Sequence, residues 1–403
     1  MADARATAQP GLKNMLRAAA IGVSLFLAAC ASGPRIVPEA ERPAPVTKPT
    51  PVAPRPVQPG LPQDAARHRI ALLVPLSGPN ANVGRSLQNA TQLAVLDTKS
   101  DALRITTYDT AAPGGAAAAA SQAISDGNRL ILGPLLAEEA REVAPIARRT
   151  RVPVLSFSND AGVAGNGTYI LGYVPAQSIE RVVNYAKRSG ITEFAGLIPS
   201  GLYGERASTA FLRSVEEAGG KVNTLETYDG RPGSVATAVA KIGRSPFQAI
   251  LIAGSADGAV VAAPLIRRQP SGKGARLLGT ELWNTDSAIG GRTALAGAWF
   301  ASVPDNYYRQ YATKYRARFG AAPFRLSTLG YDAVLLTVRI AREWRPGDEF
   351  PAARLIEREG FAGLDGAFRF GRDGVAERAL EVQEIRGGTT ATVSPAPANF
   401  GGN

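Results

Sequence analysis

The sequence contains very few of the residues on which most enzyme active sites depend. Of its 403 residues only one is histidine, His68, and only one is cysteine, Cys30. A serine or cysteine hydrolase with a histidine base needs that histidine inside its folded domain, whereas His68 ends a proline-rich stretch. The same shortage argues against a zinc site of histidine and cysteine ligands. We therefore expect no catalytic residue, no metal and no cofactor.

Motifs of other enzyme classes are missing as well. No lysine follows a serine at the spacing of the Ser-x-x-Lys motif of some cell-wall enzymes. Residues 254–258 read Gly-Ser-Ala-Asp-Gly, which puts the serine in the wrong place for a nucleophile elbow. Carboxylate pairs of glycoside hydrolases meet only in space, so the sequence leaves that type of enzyme open as a minor alternative.

The net positive charge does not indicate a nucleic-acid partner. The formal charge is +11, but beyond residue 69 there are 36 basic and 30 acidic side chains. A nucleic-acid-binding protein would cluster its basic residues on one face, with aromatic side chains between them. Here the arginines are interspersed with acids, as on an ordinary solvated surface. We expect no nucleic acid among the partners.

The first thirty residues have the pattern of a cleaved export signal. Lys13 and Arg17 precede the apolar stretch 18–27, which is too short to remain as a membrane span. The stretch ends in Leu27-Ala28-Ala29-Cys30, which resembles the bacterial lipobox. That resemblance implies cleavage before Cys30 and acylation of its thiol, and several acyl chains anchor a protein stably. The alternative is an ordinary secretory signal with an incidental cysteine.

A proline-rich segment follows the predicted lipidation site. Ten prolines lie between residues 31 and 62 with almost no large apolar residue, which predicts a disordered tether biased towards the polyproline II conformation. At about 3.1 Å per residue it could reach on the order of 100 Å. Ala31 stands where lipoproteins of the inner membrane usually carry aspartate. The resemblance thus favours a lipid anchor in the outer membrane, facing the periplasm, with a signal peptide at 1–29 and a lipidated linker at 30–68.

Beyond residue 68 the pattern is that of an α/β protein. Short apolar runs alternate with amphipathic segments, which predicts β-α units around parallel sheets. The units form two sets that separate near Val174, so we expect two Rossmann-like lobes joined by a hinge. The predicted domain covers 69–388, and its parts are a first lobe at about 69–174 and 304–370, a second lobe at about 175–303 and 371–388, and a disordered tail at 389–403.

The order and residue types of these units resemble the type I periplasmic binding proteins, in particular the leucine/isoleucine/valine-binding family. The resemblance covers about residues 69–388. Its marks are Ile70–Pro79 with Gly84, Tyr108-Asp109, Leu132-Gly133-Pro134, Val152–Ser158, Tyr203-Gly204, Gly330–Ala333, and Gly363–Gly366 followed by Phe368–Phe370. The family resemblance implies a soluble binding domain with the type I fold and a ligand cleft between its lobes.

The resemblance also implies five ligand-binding candidates for a small amino-acid-like ligand. By matching position, Ser156 and Ser158 would bind the carboxylate, Tyr203 would close over the ligand, and Glu281 would pair with an ammonium group. Ser77 follows the carboxyl end of a predicted strand, where ligands of open α/β sheets bind. Structural alternatives are that the serines cap a turn, that Tyr203 packs at a helix start, and that Glu281 is a solvated loop carboxylate.

One departure from the family bears on function. Leu135-Leu136-Ala137 follow Gly133-Pro134, where amino-acid binders usually have small hydroxyl residues. Together with the lipobox and tether, this resembles the penicillin-binding-protein activators, lipoproteins whose binding-protein-like domain contacts a peptidoglycan synthase. The first hypothesis is thus a non-enzymatic activator of peptidoglycan synthesis. The alternative is a substrate-binding lipoprotein of an ABC uptake transporter for amino acids or related compounds, with a permease as its partner.

Overall fold

The computed structural model describes residues 66–397 and residue 400. The predicted signal peptide, Cys30 and the tether as far as residue 65 lie outside the described residues. Among the helices that are described, none is long and apolar enough to cross a membrane.

The first lobe begins with a parallel sheet of five strands. Its elements are β1 (His68–Val74), α1 (Ala81–Thr98), β2 (Leu103–Asp109), α2 (Gly115–Ser125), β3 (Leu130–Leu132), α3 (Ala137–Arg149), β4 (Val154–Ser156) and β5 (Thr168–Ile170). The strand order is β2-β1-β3-β4-β5. Strand β1 lies between β2 and β3, and residues 70–74 are buried, as expected for a parallel strand covered on both faces.

The second lobe is built on a larger sheet. Its first part consists of α4 (Pro175–Arg188), β6 (Glu193–Pro199), α5 (Leu202–Glu217), β7 (Lys221–Tyr228), α6 (Ser234–Ile242), β8 (Ala249–Ile252), α7 (Ala256–Arg268), β9 (Arg276–Gly279) and β10 (Trp299–Ser302). These five strands pair in parallel, in the order β10-β9-β8-β6-β7. Helices α4 and α5 pack against each other and bury Phe194, Phe211 and Val182 between helix and sheet.

The chain then returns to the first lobe. Helix α8 (Asn306–Phe319) and helix α9 (Thr328–Ala341) share one core with β1 and α1. Helix α9 is apolar almost all round and accordingly buried. Gly330 allows the close approach of α9 to α1, because a Cβ atom there would lie 2.9 Å from the carbonyl oxygen of Leu87. A small antiparallel sheet of β11 (Phe361–Gly363), β12 (Gly366–Phe370) and β13 (Ala376–Arg378) completes this side.

The chain ends differently from the sequence prediction. Strand β14 (Glu381–Arg386) pairs antiparallel with β10, and β15 (Thr389–Ser394) pairs antiparallel with β14 at the sheet edge. The expectation of a disordered tail from residue 389 is wrong for β15. Its hairpin turn is Gly387-Gly388, in which both residues have positive φ, the requirement of a tight two-residue turn. The chain also enters the second sheet only after Arg378, whereas the predicted lobe boundary was residue 370.

Three short segments connect the lobes. Residues 171–174 lead from β5 to α4, residues 303–305 lead from β10 to α8, and residues 379–380 lead from β13 to β14. Gln177 of α4 clamps the third of these crossings, since its side chain accepts from the amide of Arg378 at 3.0 Å and donates to the carbonyl of Ala376 at 2.8 Å. The three crossings together form the hinge.

Candidate ligand site between the lobes

A cavity of about 230 Å³ lies in the cleft between the lobes. The first lobe contributes mostly apolar side chains to its wall: Val83, Leu135, Leu136, Phe157 and Leu326, with the amides Asn80 and Asn159. The second lobe contributes Glu281, Leu282 and Thr285, and Tyr173 joins them from the hinge. A mostly apolar wall with a few polar groups is the usual character of a small-molecule site.

Glu281 is the acidic group of this wall. Its side chain is only 7% exposed and accepts hydrogen bonds from the hydroxyl groups of Ser178 and Tyr203, the latter at 3.1 Å to Oε1. Burial raises the pKa of Glu281 to about 7, although these hydrogen bonds favour the charged form. The alternative of a solvated loop carboxylate is therefore excluded, and Glu281 exchanges its proton near neutral pH.

Tyr203 stands beside Glu281 as the sequence suggested. Its hydroxyl lies 2.9 Å from Thr280 Oγ1, and burial together with the Glu281 carboxylate raises its pKa well above the ordinary value. The phenol is thus a neutral donor held within the second lobe. Tyr203 does not line the 230 Å³ cavity itself, so it orients Glu281 in this arrangement of the lobes.

Ser156 and Ser158 are not brought to the cleft surface. Ser156 Oγ donates to the carbonyl of Pro134 at 3.0 Å and accepts from the amide of Ser158 at 3.1 Å. Ser158 Oγ accepts in turn from the amide of Asp160 at 3.1 Å. Both side chains are buried, and the residue between them, Phe157, lines the cavity instead. The two serines cap the turn after β4, so the expectation that they bind a carboxylate is not met here.

Ser77 likewise has a local partner. It is exposed in the loop after β1, and its hydroxyl donates to Asp109 Oδ2 at 3.0 Å. The other carboxylate oxygen of Asp109 accepts from the amide of Leu76 at 2.8 Å. These bonds to Leu76 and Ser77 hold the pKa of Asp109 below its ordinary value despite partial burial. Ser77 fixes the loop that precedes Asn80 and is absent from the wall of the cavity.

Asp160 links the two lobes directly across the cleft. It follows β4 and is only 3% exposed, and its carboxylate binds Arg141 of α3 in its own lobe. The other oxygen lies 3.3 Å from Nε of Arg206, which belongs to α5 of the second lobe. Asp160 also accepts from the amide of Gly162 at 2.9 Å. This interlobe ion pair was not predicted, because nothing in the sequence relates residues 160 and 206.

A buried charged network supports the hinge behind the cavity. Arg325 donates to Asp365 at 2.6 Å, and Asp365 also accepts from Tyr173 and from Thr328. Burial opposes ionisation of Asp365, but the guanidinium groups of Arg325 and Arg378 hold its pKa below the ordinary value. The charges of this network are therefore maintained inside the protein, where they fix the first hinge crossing to the first lobe.

Asp332 of α9 lies next to this network. It accepts from the amide of Leu364 at 2.6 Å and orients the turn that carries Asp365. Burial, followed by repulsion from Asp365, raises the pKa of Asp332 to about 7. Asp332 does not line the cavity between the lobes and has a positioning role in the hinge.

Comparison with known proteins identifies the fold. A profile of the periplasmic binding protein family matches residues 68–390. An uncharacterized protein of Rickettsia prowazekii (strain Madrid E) is 24% identical over 173 residues, which are 43% of this chain and 46% of that relative. The match thus spans less than half of the relative's length.

Two solved structures have the same architecture. The branched-chain amino acid substrate-binding protein of Streptococcus pneumoniae, in complex with isoleucine, is 17% identical with a TM-score of 0.63, covering 82% of this chain and 100% of that one. A solute-binding protein of an R. palustris ABC transporter, in complex with benzoate, is 18% identical with a TM-score of 0.63, covering 82% of this chain and 98% of that one. The predicted two-lobed type I fold is confirmed. Because the family profile covers most of the chain, the protein belongs to the periplasmic binding protein family.

Proposed function

We propose that the protein is a non-enzymatic substrate-binding component of an ABC uptake transporter that captures a small ligand with an apolar body. The carrying observation is the interlobe cavity, whose first-lobe wall is formed mainly by Leu135, Leu136, Phe157 and Val83. Apolar walls favour branched aliphatic or aromatic ligands, because apolar surface removed from water contributes roughly 25 cal/mol per Å² to the binding free energy. Solved relatives bound to isoleucine and to benzoate support this ligand class.

Glu281 would also let the site distinguish ligands with an amine from ligands without one. The carboxylate keeps free lone pairs after accepting from Ser178 and Tyr203, so it has room for one further donor. A ligand ammonium group would stabilise the charged carboxylate, and binding below pH 7 would then release a proton. A carboxylic acid without an amine, such as benzoate, would instead favour the protonated form. The two ligand types are therefore distinguished by the sign of proton exchange.

Calorimetry with a panel of ligands tests the proposal. Leucine, isoleucine, valine, phenylalanine and benzoate are titrated at pH 6 in buffers of different ionisation enthalpy, with glutamate and arginine as polar comparisons. We expect an apolar member to bind, and Leu135→Asp to weaken it at least tenfold, because a buried charge is then unpaired. Leu212→Asp is the matched control, since Leu212 is exposed on α5. Absence of binding by every apolar compound at millimolar concentration would refute ligand capture.

Activation of a peptidoglycan synthase is the second candidate function. It is favoured by the leucine pair at 135–136 in the cleft and by the engagement of Ser156 and Ser158 with backbone groups, which keeps both serines off the cavity wall. The solved structures with the same architecture come from transporter components, which gives uptake the better support. Reconstituted synthase assays decide between them: rate stimulation by the mature protein, retained in Leu135→Asp, would establish activation independent of the cleft.

Anchoring to the outer membrane through Cys30 is part of both proposals. The family is periplasmic. The lipobox would supply the lipid anchor, and the ten prolines after it would form the tether between the membrane and the folded domain. A Cys30→Ala variant is expected to move from the membrane fraction to the soluble periplasmic fraction. Density-gradient separation of inner and outer membranes then locates the wild-type protein. A variant that still sediments with membranes would eliminate the lipid anchor and leave the signal peptide as a simple export signal.

A further inference from the structure

A second, smaller cavity lies where the three hinge crossings meet. Its lining is drawn from all three crossings, and it includes Ser178 of α4, Glu281 after β9, Arg325 just before α9 and Arg378 at the end of β13. Its volume is about 20 Å³, and a water molecule occupies roughly 10–15 Å³ on this measure. The cavity therefore has room for one water molecule or one monatomic ion.

Arg378 presents unpartnered donors in this cavity. The residue is only 7% exposed, and its Nη2 donates to the carbonyl of Leu171 at 2.6 Å. Its Nε and Nη1 have no hydrogen-bond partner among residues 66–397 and 400. The guanidinium lies over the rings of Tyr173 and Phe368, at 4.9 and 5.2 Å from their centres. Arg378 makes no direct ion pair among the described residues, and the charge of Asp365 acts on it from beyond hydrogen-bond distance.

Two further features supply hydrogen-bond donors to the cavity. Arg325 is only 6% exposed, and its Nε also lacks a partner in the described part of the chain, while its other nitrogens bind Asp365, Asp305 and Thr328. Helix α4 begins at the cavity wall with no side-chain cap, and its first turn contributes Gln177 and Ser178 to the lining. Amide groups and the helix dipole at such an end favour an anion.

We propose that this hinge cavity binds one chloride ion between the guanidinium groups of Arg378 and Arg325, at the N-terminus of α4. A carboxylate carries the same charge, but its three heavy atoms exceed the available volume. Glu281 is the unfavourable neighbour in the same lining, so its charged form competes with the anion. Because segments from all three crossings line the cavity, chloride binding stabilises the arrangement of the hinge described here. Glu281 also lines the interlobe cleft, so a cleft ligand that stabilises its charged form should weaken chloride binding.

Thermal unfolding of the mature protein tests the chloride site. Sodium chloride is exchanged for sodium gluconate at constant ionic strength and pH. We expect a saturable rise in Tm with chloride, and at 100 times the Kd the folding equilibrium should shift about 100-fold towards the native state. Arg378→Gln should abolish the dependence. Arg339→Gln, which removes a guanidinium on α9 that does not line the cavity, should retain it, and Glu281→Gln should lower the Kd.

Diffraction supplies a test that does not depend on a variant that folds. Crystals of the wild-type protein grown in sodium bromide should show an anomalous peak within hydrogen-bond distance of Arg378. Equal Tm values in chloride and gluconate, or a hinge cavity without an anomalous peak, would overturn the proposal and assign the space to water. A peak that persists in Arg378→Gln would also contradict the role given to this residue.

Discussion

The raised pKa of Glu281 makes the stability of the protein depend on pH in a calculable way. The folded-state value is about 7, against an ordinary 4.5. The native state therefore binds more protons than the unfolded chain between these two values. The contribution to stability is fully present below pH 4.5, is lost as pH rises through 7, and stays lost above it. At 1.36 kcal/mol per pKa unit the whole effect is about 3 kcal/mol.

Glu281→Gln isolates this contribution. The amide can accept from Tyr203 and donate to Ser178, whose own hydroxyl already has a second acceptor in the carbonyl of Pro175. Urea unfolding of both proteins in chloride-free buffer gives the difference in unfolding free energy. Between pH 5 and pH 8 that difference should shift by roughly 2–3 kcal/mol in favour of the variant. Subtracting the curves cancels other groups that titrate here, including Asp332.

The control for this prediction is Glu205→Gln, which removes an exposed carboxylate on the same helix as Tyr203. Its curve should run parallel to that of the wild type. A pH-independent difference between wild type and Glu281→Gln would refute the assignment of a neutral-range proton to Glu281. It would also remove the expected proton release on binding of an amine ligand.

Three further predictions concern the fold and the lobe contact. Asp160→Asn should weaken the ion pair with Arg206 by about 1 kcal/mol, because the arginine is half exposed. The equilibrium between closed and open lobes should then shift roughly fivefold towards open forms. An unchanged radius of gyration in X-ray scattering would contradict this prediction. Gly388→Val should destabilise the protein by about 1–3 kcal/mol in urea unfolding, because the turn holds residue 388 at φ +99°; no change would mean that β15 does not contribute to the native sheet. Gly330→Ala should cost about 1–3 kcal/mol by pushing α9 away from Leu87; a neutral effect would show that the helices separate freely.

Continuous apolar strands and long amphipathic helices were predicted well from the sequence. The apolar run 70–75 predicts a strand and lies almost wholly in β1 (His68–Val74), and the segments 307–319 and 327–343 predict helices and form α8 and α9 with small changes at their ends. These elements are determined by local patterns of burial. The local sequence pattern does not indicate β10, because its four residues form a strand by pairing with β9 and β14, which are distant in sequence.

The hairpin at the end of the chain could have been recognised. Gly387-Gly388 between segments rich in threonine and valine is a strong signal for a two-residue turn. Composition alone suggested disorder, since small polar residues and proline surround this region. The backbone hydrogen bonds between β15 and β14 stabilise the ordered strand. Arg181 of α4 also holds its end by donating to Ser394 Oγ at 2.7 Å.

The candidate site was predictable only in part. The family resemblance selected both Tyr203 and Glu281, which form a hydrogen bond although they are 78 positions apart. It could not anticipate Ser178, which comes from α4 and is the other donor to Glu281. Both roles stayed open for Ser156 and Ser158 in the sequence, because short hydroxyl side chains satisfy nearby backbone groups as readily as they bind ligands. Arg325 and Arg378 meet only because the chain crosses the hinge three times.

The distribution of polar groups determines how the two proposed functions can be separated. In the first lobe the cleft wall is mainly apolar, whereas charge is concentrated on the second lobe at Glu281 and in the hinge at Arg325 and Arg378. A captured ligand must touch both walls, so its affinity should respond to Leu135→Asp and also to Glu281→Gln.

A synthase bound to the outer surface touches neither residue, and its activation should respond only to changes that alter the angle between the lobes. Asp160→Asn changes that angle without changing the cavity wall. Sensitivity to Asp160 with indifference to Leu135 is therefore the pattern of a protein partner, whereas loss of affinity in Leu135→Asp is the pattern of ligand capture.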